Sequence, residues 1–205
     1  MRIVIGLTGL AGSGKDTVAR LLAQNYGATG IAFADPLKDE IADVWRVDRA
    51  LLDDPSTKEV PSSALALHRC NDAGFIERHW ELAGLAALKP RTVMTAWGDW
   101  RRAGDPGYFV NLAEHALVDS AFCRRPGPVV VTDVRYRNEL AMLRRYAAEV
   151  WRVFRPGLLP RSGHSSEREL ADTPVDALIL NNGSLELLEK ISADLYLALR
   201  DRRAA

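Results

Sequence analysis

The sequence predicts an α/β protein, a parallel sheet covered on both faces by helices. Three observations predict it. Short apolar runs recur at residues 3–7, 30–34, 129–132, 150–154 and 177–180. Helical patterns separate them, and such alternation favours parallel strands joined by crossover helices. A glycine-rich segment, Gly9-Leu10-Ala11-Gly12-Ser13-Gly14-Lys15-Asp16-Thr17, joins the first run to the first helix.

Taken in order, the run 3–7 reads as a buried strand, and Val18, Leu21 and Leu22 mark the first helix, which Gly27 can end. The loop between them has the context of a phosphate-binding turn. Its glycines let backbone N–H groups face an oligophosphate, and the helix N-terminus adds partial positive charge. Lys15 supplies a mobile full charge. The usual Ser or Thr after the lysine, a magnesium ligand, is Asp16 here, with Thr17 one place later. A carboxylate can hold magnesium directly or through water, so Asp16 is the candidate metal ligand.

The second strand runs into Ala34-Asp35-Pro36-Leu37-Lys38, where Asp35 and Pro36 form an expected N-cap and first-turn pair. Leu37, Ile41, Val44 and Trp45 mark the helix that follows. Residues 50–90 depart from alternation, with Pro55, Pro61 and mixed helical signals near 75–88. An insertion of this size beside such a core suits substrate binding. Helices are expected at 91–103 and 108–118. The first of these carries Arg91 and Trp97-Gly98-Asp99-Trp100-Arg101-Arg102. Arginine forks bind phosphate and a tryptophan face can stack on a base, but a core tryptophan flanked by solvated arginines fits the spacing equally well.

Val131-Thr132-Asp133-Val134-Arg135 is a strand ending in a carboxylate, which places Asp133 near the metal or the phosphoryl acceptor. Leu140, Leu143 and Ala147 mark the next helix. After the fourth strand comes a polar segment with Arg161, His164, Glu167 and Arg168, readable as a closing lid or as a surface loop. The last helix carries Leu188, Ile191, Leu195 and Leu199, with Ser184 as its cap.

Composition narrows the classes. A chain of 205 residues with 47% hydrophobic and 26% charged residues can bury its own core. Zero formal net charge argues against a broad nucleic-acid or anionic-membrane surface. Cys70 and Cys123 lack metal-ligand spacing and read as free thiols in a reducing cytoplasm. No secretory leader and no membrane-spanning stretch is read.

These pieces, in order, carry a resemblance: Gly14-Lys15-Asp16-Thr17, Phe33-Ala34-Asp35-Pro36-Leu37-Lys38, Trp97-Gly98-Asp99 with Arg101-Arg102, Tyr108-Phe109-Val110-Asn111, Asp133-Val134-Arg135 with Asn138-Glu139, Arg155-Pro156-Gly157, His164 with Ser166-Glu167, and Asn182-Gly183-Ser184-Leu185. The chain resembles the bacteriophage-type deoxynucleoside monophosphate kinases, within the P-loop nucleoside monophosphate kinases. The aspartate after the loop lysine, a departure from the general motif, is a hallmark of that family.

The resemblance implies a P-loop kinase fold: one domain over 1–205, a five-stranded parallel sheet, a helical monophosphate-binding region at 50–118 and a short lid at 156–172. It implies ATP and Mg2+, with small-molecule nucleotides as the partners and a homodimer allowed. Gly12, Ser13, Gly14, Lys15, Asp16 and Thr17 would hold the ATP phosphates and metal, and Asn182 would border the adenine. Asp35, Lys38, Arg91, Trp97, Gly98, Arg102, Asp133, Arg135 and Glu167 would meet the acceptor. Lys15, Arg102, Asp133 and Arg135 would serve catalysis. The middle of the chain, 51–89, matches the family poorly. Two rivals stand beside this reading: a P-loop kinase for another phosphorylated acceptor, such as dephospho-coenzyme A or phosphomevalonate, and an ATP-binding module that transfers nothing. A GTPase would need an Asn-Lys-x-Asp motif, and the fifth strand leads into Leu180-Asn181-Asn182-Gly183 instead.

Overall fold

A computed structural model describes residues 2–122, 127–159 and 169–205. In chain order the elements are β1 (Val4–Thr8), α1 (Lys15–Tyr26), β2 (Thr29–Ile31), α2 (Ala34–Trp45), α3 (Ala50–Asp53) and α4 (Ala73–Arg78). They continue with α5 (Pro90–Gly104), α6 (Tyr108–Phe122), β3 (Val129–Val131) and α7 (Arg137–Arg145). Last come β4 (Glu149–Phe154), β5 (Ala177–Leu180) and α8 (Leu185–Ala204). The chain divides into two compact units, Met1–Phe33 with Ala113–Ala205, and Ala34–Leu112.

The first unit is built on a five-stranded sheet in the order β2-β3-β1-β4-β5, with every pairing parallel. β1 is buried along its whole length, as an uninterrupted apolar run between two covered faces requires. On one face Ile5, Leu7, Trp151, Val153 and Ile179 pack with Val18, Leu21 and Leu22 of α1 and Leu188, Tyr196 and Leu199 of α8. On the other, Gly6 lies so close to Leu143 of α7 that a Cβ there would stand 2.8 Å from its Cδ1. With helices on both faces of a 2-3-1-4-5 sheet, the architecture is the P-loop kinase fold.

Helix ends follow local chemistry. Gly27 closes α1 in the left-handed conformation, φ 66°, with its N–H on Ala23 and Leu22 carbonyls. Ser184 caps α8, its hydroxyl accepting from Leu187 N. α7 ends at Arg145, short of the expected Ala147, which adopts φ 52° after the helix.

The second unit is helical. Leu37, Ile41 and Trp45 of α2 pack with Leu52, Leu65, Leu67, Phe75, Leu88, Val93, Trp97 and Phe109. The apolar face of α2 belongs to this cluster, so this compact unit runs from Ala34 to Leu112. Between α3 and α5 the chain makes 3-10 turns at Ser63–Leu65, Leu67–Arg69 and Trp80–Leu82. Asp72 caps α4 by accepting from Phe75 N at 2.9 Å. No helix among the described residues is long and apolar enough to cross a membrane.

Candidate active site

β1 leads directly into the glycine loop. Gly9 has φ +135°, and a Cβ there would lie 2.2 Å from the Val153 carbonyl oxygen, so the loop passes β4 only because this residue has no side chain. Ser13 N donates to Leu10 O at 3.1 Å, closing the turn. Gly14, at φ 108°, is the N-cap of α1, and Val18 N donates to its carbonyl at 3.0 Å. The amides of Lys15, Asp16 and Thr17 fall in the first turn, where no intrahelical acceptor exists.

Lys15 is buried, and its ammonium donates to the carbonyls of Gly9 at 2.8 Å and Leu10 at 2.9 Å. The charge is therefore held over the loop rather than in solvent. Ser13 is 1% exposed, and its hydroxyl finds no hydrogen-bond partner among the described residues. Such a group is rare in a folded protein unless something else completes it. First-turn amides, an orphaned hydroxyl and a folded-back ammonium together make a receptor for phosphate oxygens.

The residues also fit a magnesium ion, of the kind shared with phosphates. Asp16 is exposed in the first turn of α1, Thr17 follows half-buried, and Asp133 leaves β3. Among the described residues no group of three or more His, Cys, Asp or Glu side chains gathers to hold a metal alone. Magnesium bound through one or two carboxylates plus substrate phosphates needs no such group.

Asp133 is placed by its neighbours. Thr132 N donates to Ile31 O and Val134 N to Leu7 O, each at 3.0 Å, so the chain is pinned to β2 on one side and β1 on the other. Asp133 Oδ1 accepts from Phe33 N at 2.7 Å. Arg135, exposed, follows on a turn that Glu139 shapes. Glu139 is only 2% exposed, and its Oε2 accepts from Arg135 N at 2.7 Å and Tyr136 N at 3.0 Å. A Glu at the third position of a helix commonly reaches back in this way.

At the end of β5 lies Asn182, expected at the nucleotide, which is exposed. Its neighbour Asn181 donates from Nδ2 to the Ser13 carbonyl at 2.7 Å and from its backbone N–H to Phe154 O at 2.7 Å. No local signal separates two adjacent asparagines. Only the side to which the chain turns after β5 decides between them.

In the helical unit several expected acceptor contacts have intramolecular partners. Trp97 is fully buried, with ring centroids 4.9 Å from Phe75 and from Trp100, and 5.7 Å from Trp45. Its indole N–H donates to Glu40 Oε2 at 2.7 Å. Base stacking on this ring is therefore corrected to a core role, since neither face is open. Glu40 also accepts from Arg101 Nε at 3.0 Å and from the Tyr108 hydroxyl. Burial, and then the hydrogen bond to Glu40, push the Tyr108 hydroxyl pKa up. The Arg101 guanidinium lies 4.5 Å over Trp100 and 5.0 Å over Trp97.

Gly98 leaves room for its neighbours, because a Cβ there would stand 2.7 Å from Arg102 Nη1 and 3.0 Å from Leu37 Cδ1. Arg102 lies 5.1 Å over Phe109 and 3.9 Å from Asp99. Asp35 is not an N-cap, because α2 already begins at Ala34; it accepts from Arg49 at 2.8 Å. Arg49 also pairs with Asp39 and Asp53, and Lys38 pairs with Asp53 at 2.7 Å. Arg91 pairs with Glu59. Sequence reasoning missed Arg49 and Glu40. Asp35 and Asp39, four apart on one helix, are an acidic pair that calls for a cation, whereas nothing local marks Glu40. Glu167, His164 and the central part of the expected lid lie outside the described residues. The part of the lid that follows them is tied down, with Arg152 Nη2 donating to Leu170 O at 2.6 Å and just beyond it to Thr173 O at 2.8 Å.

Comparison with known proteins adds an independent finding. A family model described as deoxynucleotide monophosphate kinase matches residues 104–191. A protein of Acanthamoeba polyphaga mimivirus, provisionally named a deoxynucleotide monophosphate kinase, is 27% identical over 195 residues, covering 90% of this chain and 91% of that protein. The deoxynucleotide monophosphate kinase of Enterobacteria phage T4 is 27% identical over 229 residues, covering 90% and 95%. Among solved structures, the crystal structure of TT1252 from Thermus thermophilus matches with a TM-score of 0.49 and 21% identity, over 97% of this chain and 98% of that one. Family model and curated relatives carry one description, and it is deoxynucleotide monophosphate kinases that this chain is similar to.

Proposed function

We propose that this chain transfers the γ-phosphoryl group of ATP to the phosphate of a deoxynucleoside 5′-monophosphate, releasing ADP and the diphosphate. An acceptor phosphate oxygen forms the new bond to Pγ, and the bond from Pγ to the β–γ bridging oxygen breaks. The observation that carries the reading is the receptor at the start of α1, where first-turn amides, the orphaned Ser13 hydroxyl and the Lys15 ammonium converge.

Gly12, Ser13 and Gly14 bind the donor through backbone amides. Lys15 exchanges its two loop carbonyls for phosphate oxygens, a charge-assisted contact of the stronger kind. Asp16, Thr17 and Asp133 would hold magnesium, which would supply positive charge against the negative charge of the phosphates. Asp133 and Arg135 are carried by one turn, so placing the carboxylate places the arginine beside it.

Lys38, Arg91 and Arg102 are assigned to the acceptor by the family resemblance. Each now pairs with a carboxylate: Asp53, Glu59 and Asp99 respectively. The three carboxylates are 47%, 57% and 52% exposed, and pairs open to solvent on one side contribute only about 0–1 kcal/mol, so a phosphate dianion can displace them. Gly98 serves this site indirectly, by leaving space for Arg102. The reading extends to a cytoplasmic enzyme acting on small nucleotides, as a monomer or homodimer.

A coupled assay of ADP release tests it, run with ATP and magnesium over the common ribo- and deoxynucleoside monophosphates, dephospho-coenzyme A and phosphomevalonate. Turnover is expected with at least one deoxynucleoside monophosphate. Turnover with only a non-nucleotide acceptor, or with none although ATP binds, would replace the reading.

A further inference from the structure

We infer that Asn181 is a positioning residue of the phosphate loop, aiming the Gly14 amide at the donor phosphates through its bond to the Ser13 carbonyl. The inference rests on the nucleotide-binding reading above and adds a residue to it. The Ser13–Gly14 peptide is trans, and in a planar trans peptide the C=O of one residue and the N–H of the next point in opposite directions. Asn181 Nδ2 holds the Ser13 oxygen at 2.7 Å. The Gly14 N–H is thereby turned to the opposite side, away from Asn181.

Without that restraint the peptide is free to rotate. Gly14 sits at φ +108° and Gly12 at φ +81°, and glycine populates both halves of φ space readily. The three protein bonds that close the loop elsewhere, Ser13 N to Leu10 O and Lys15 Nζ to the Gly9 and Leu10 carbonyls, leave the Ser13 carbonyl untouched. The Asn181 amide also packs directly over the glycine, for a Cβ on Gly14 would lie 2.5 Å from its Nδ2. Asn181 is itself held at the backbone, its N–H donating to Phe154 O at 2.7 Å. An anchored amide therefore fixes one plane in a loop whose function is the direction of its N–H groups. Pre-organisation of this kind shows in affinity for the donor and not in affinity for the acceptor.

The test is isothermal titration of magnesium–ATP into wild-type protein, Asn181→Ala and Asn181→Ser, with melting temperatures and with KM for ATP and for the acceptor. The serine variant keeps a polar side chain too short to span to Ser13, and it serves if the alanine variant does not fold. For either variant the Kd for ATP is expected to rise about tenfold, the worth of one well-placed hydrogen bond. KM for the acceptor is expected within about twofold of wild type. Unchanged ATP affinity in a folded variant would overturn the inference, as would equal losses for donor and acceptor, which a merely structural role would produce. No heat from ATP with the wild-type protein would instead remove the nucleotide-binding reading, and this inference with it.

Discussion

Replacing Glu139 by alanine should unfasten the turn that carries Asp133 and Arg135. The carboxylate is buried to within 2% and accepts two backbone N–H bonds, at 2.7 and 3.0 Å. Alanine removes the acceptor and leaves both amides behind. An orphaned buried donor costs about 1–3 kcal/mol, but Arg135 is exposed, so water can reach part of the turn. A combined cost of about 2–4 kcal/mol follows, or a melting temperature lower by about 5–15 °C for a chain of this size. Glutamine keeps an oxygen of the same reach and loses only the charge, so it should cost about 1 kcal/mol. The assay is calorimetric melting of wild type, Glu139→Ala and Glu139→Gln, with kcat measured on each folded protein. Alanine melting within about 1 °C of wild type would refute the argument. So would glutamine as damaging as alanine, because that would place the effect in charge and not in the acceptor geometry.

Gly9→Ala should abolish ATP binding and lower stability, because the methyl group meets the Val153 carbonyl at 2.2 Å at a φ that L-residues avoid, while Gly30→Ala, with nothing within 4 Å, should be neutral or stabilising by about 0.5–1 kcal/mol in thermal melts. Equal effects would deny the close approach. Trp97→Phe should cost about 2 kcal/mol, from losing the indole donor to Glu40, and leave acceptor KM within about twofold. A raised KM at unchanged melting temperature would return the ring to the ligand. The Asp53 carboxyl feels burial, which raises its pKa, but the hydrogen bond and charge of Lys38, then Arg49, prevail and lower it. Its stabilising contribution is therefore complete above the ordinary carboxylate value near ~4 and disappears as pH falls through the lowered one. The melting-temperature gap between wild type and Asp53→Asn should close over that acid range, and a gap constant to about pH 2 would exclude the ion pair as its source.

The strands were legible because a buried parallel strand is an apolar run with polar ends, and four of the five runs lie within one residue of their strands. The second is shorter than expected because α2 takes Ala34. Helix ends were legible where a cap marks them, as at Gly27 and Ser184. They were not legible at Ala147, whose left-handed φ no feature of alanine announces. The region 54–88 offered two prolines and weak periodicity, and it forms 3-10 turns and the short α4, elements that no long amphipathic period could reveal. At the site, the residues of the glycine loop were readable because their chemistry is local. Trp97 was undecidable from spacing, because an arginine-flanked tryptophan reads alike in a core and in a pocket. Burial against Trp45, Phe75 and Trp100 decides it.

The phosphate loop itself is only half a local motif. Its nine residues dictate which backbone angles are open, but two distant strands select among them. The Val153 carbonyl of β4 lies where any side chain on Gly9 would go, and Asn181, beyond β5, holds the Ser13 carbonyl from 168 positions away in the chain. Strand order explains why these two supply the restraint: β4 lies beside β1 and β5 beside β4, so the chain leaving β1 passes their carboxyl ends in turn. β5 is an edge strand, and Asn181 is joined to the sheet interior by its backbone bond to Phe154 O. The loop's shape thus depends on the last third of the sequence having folded. A glycine-rich string ending in lysine marks where phosphate can bind, and the ends of β4 and β5 make that string a rigid receptor.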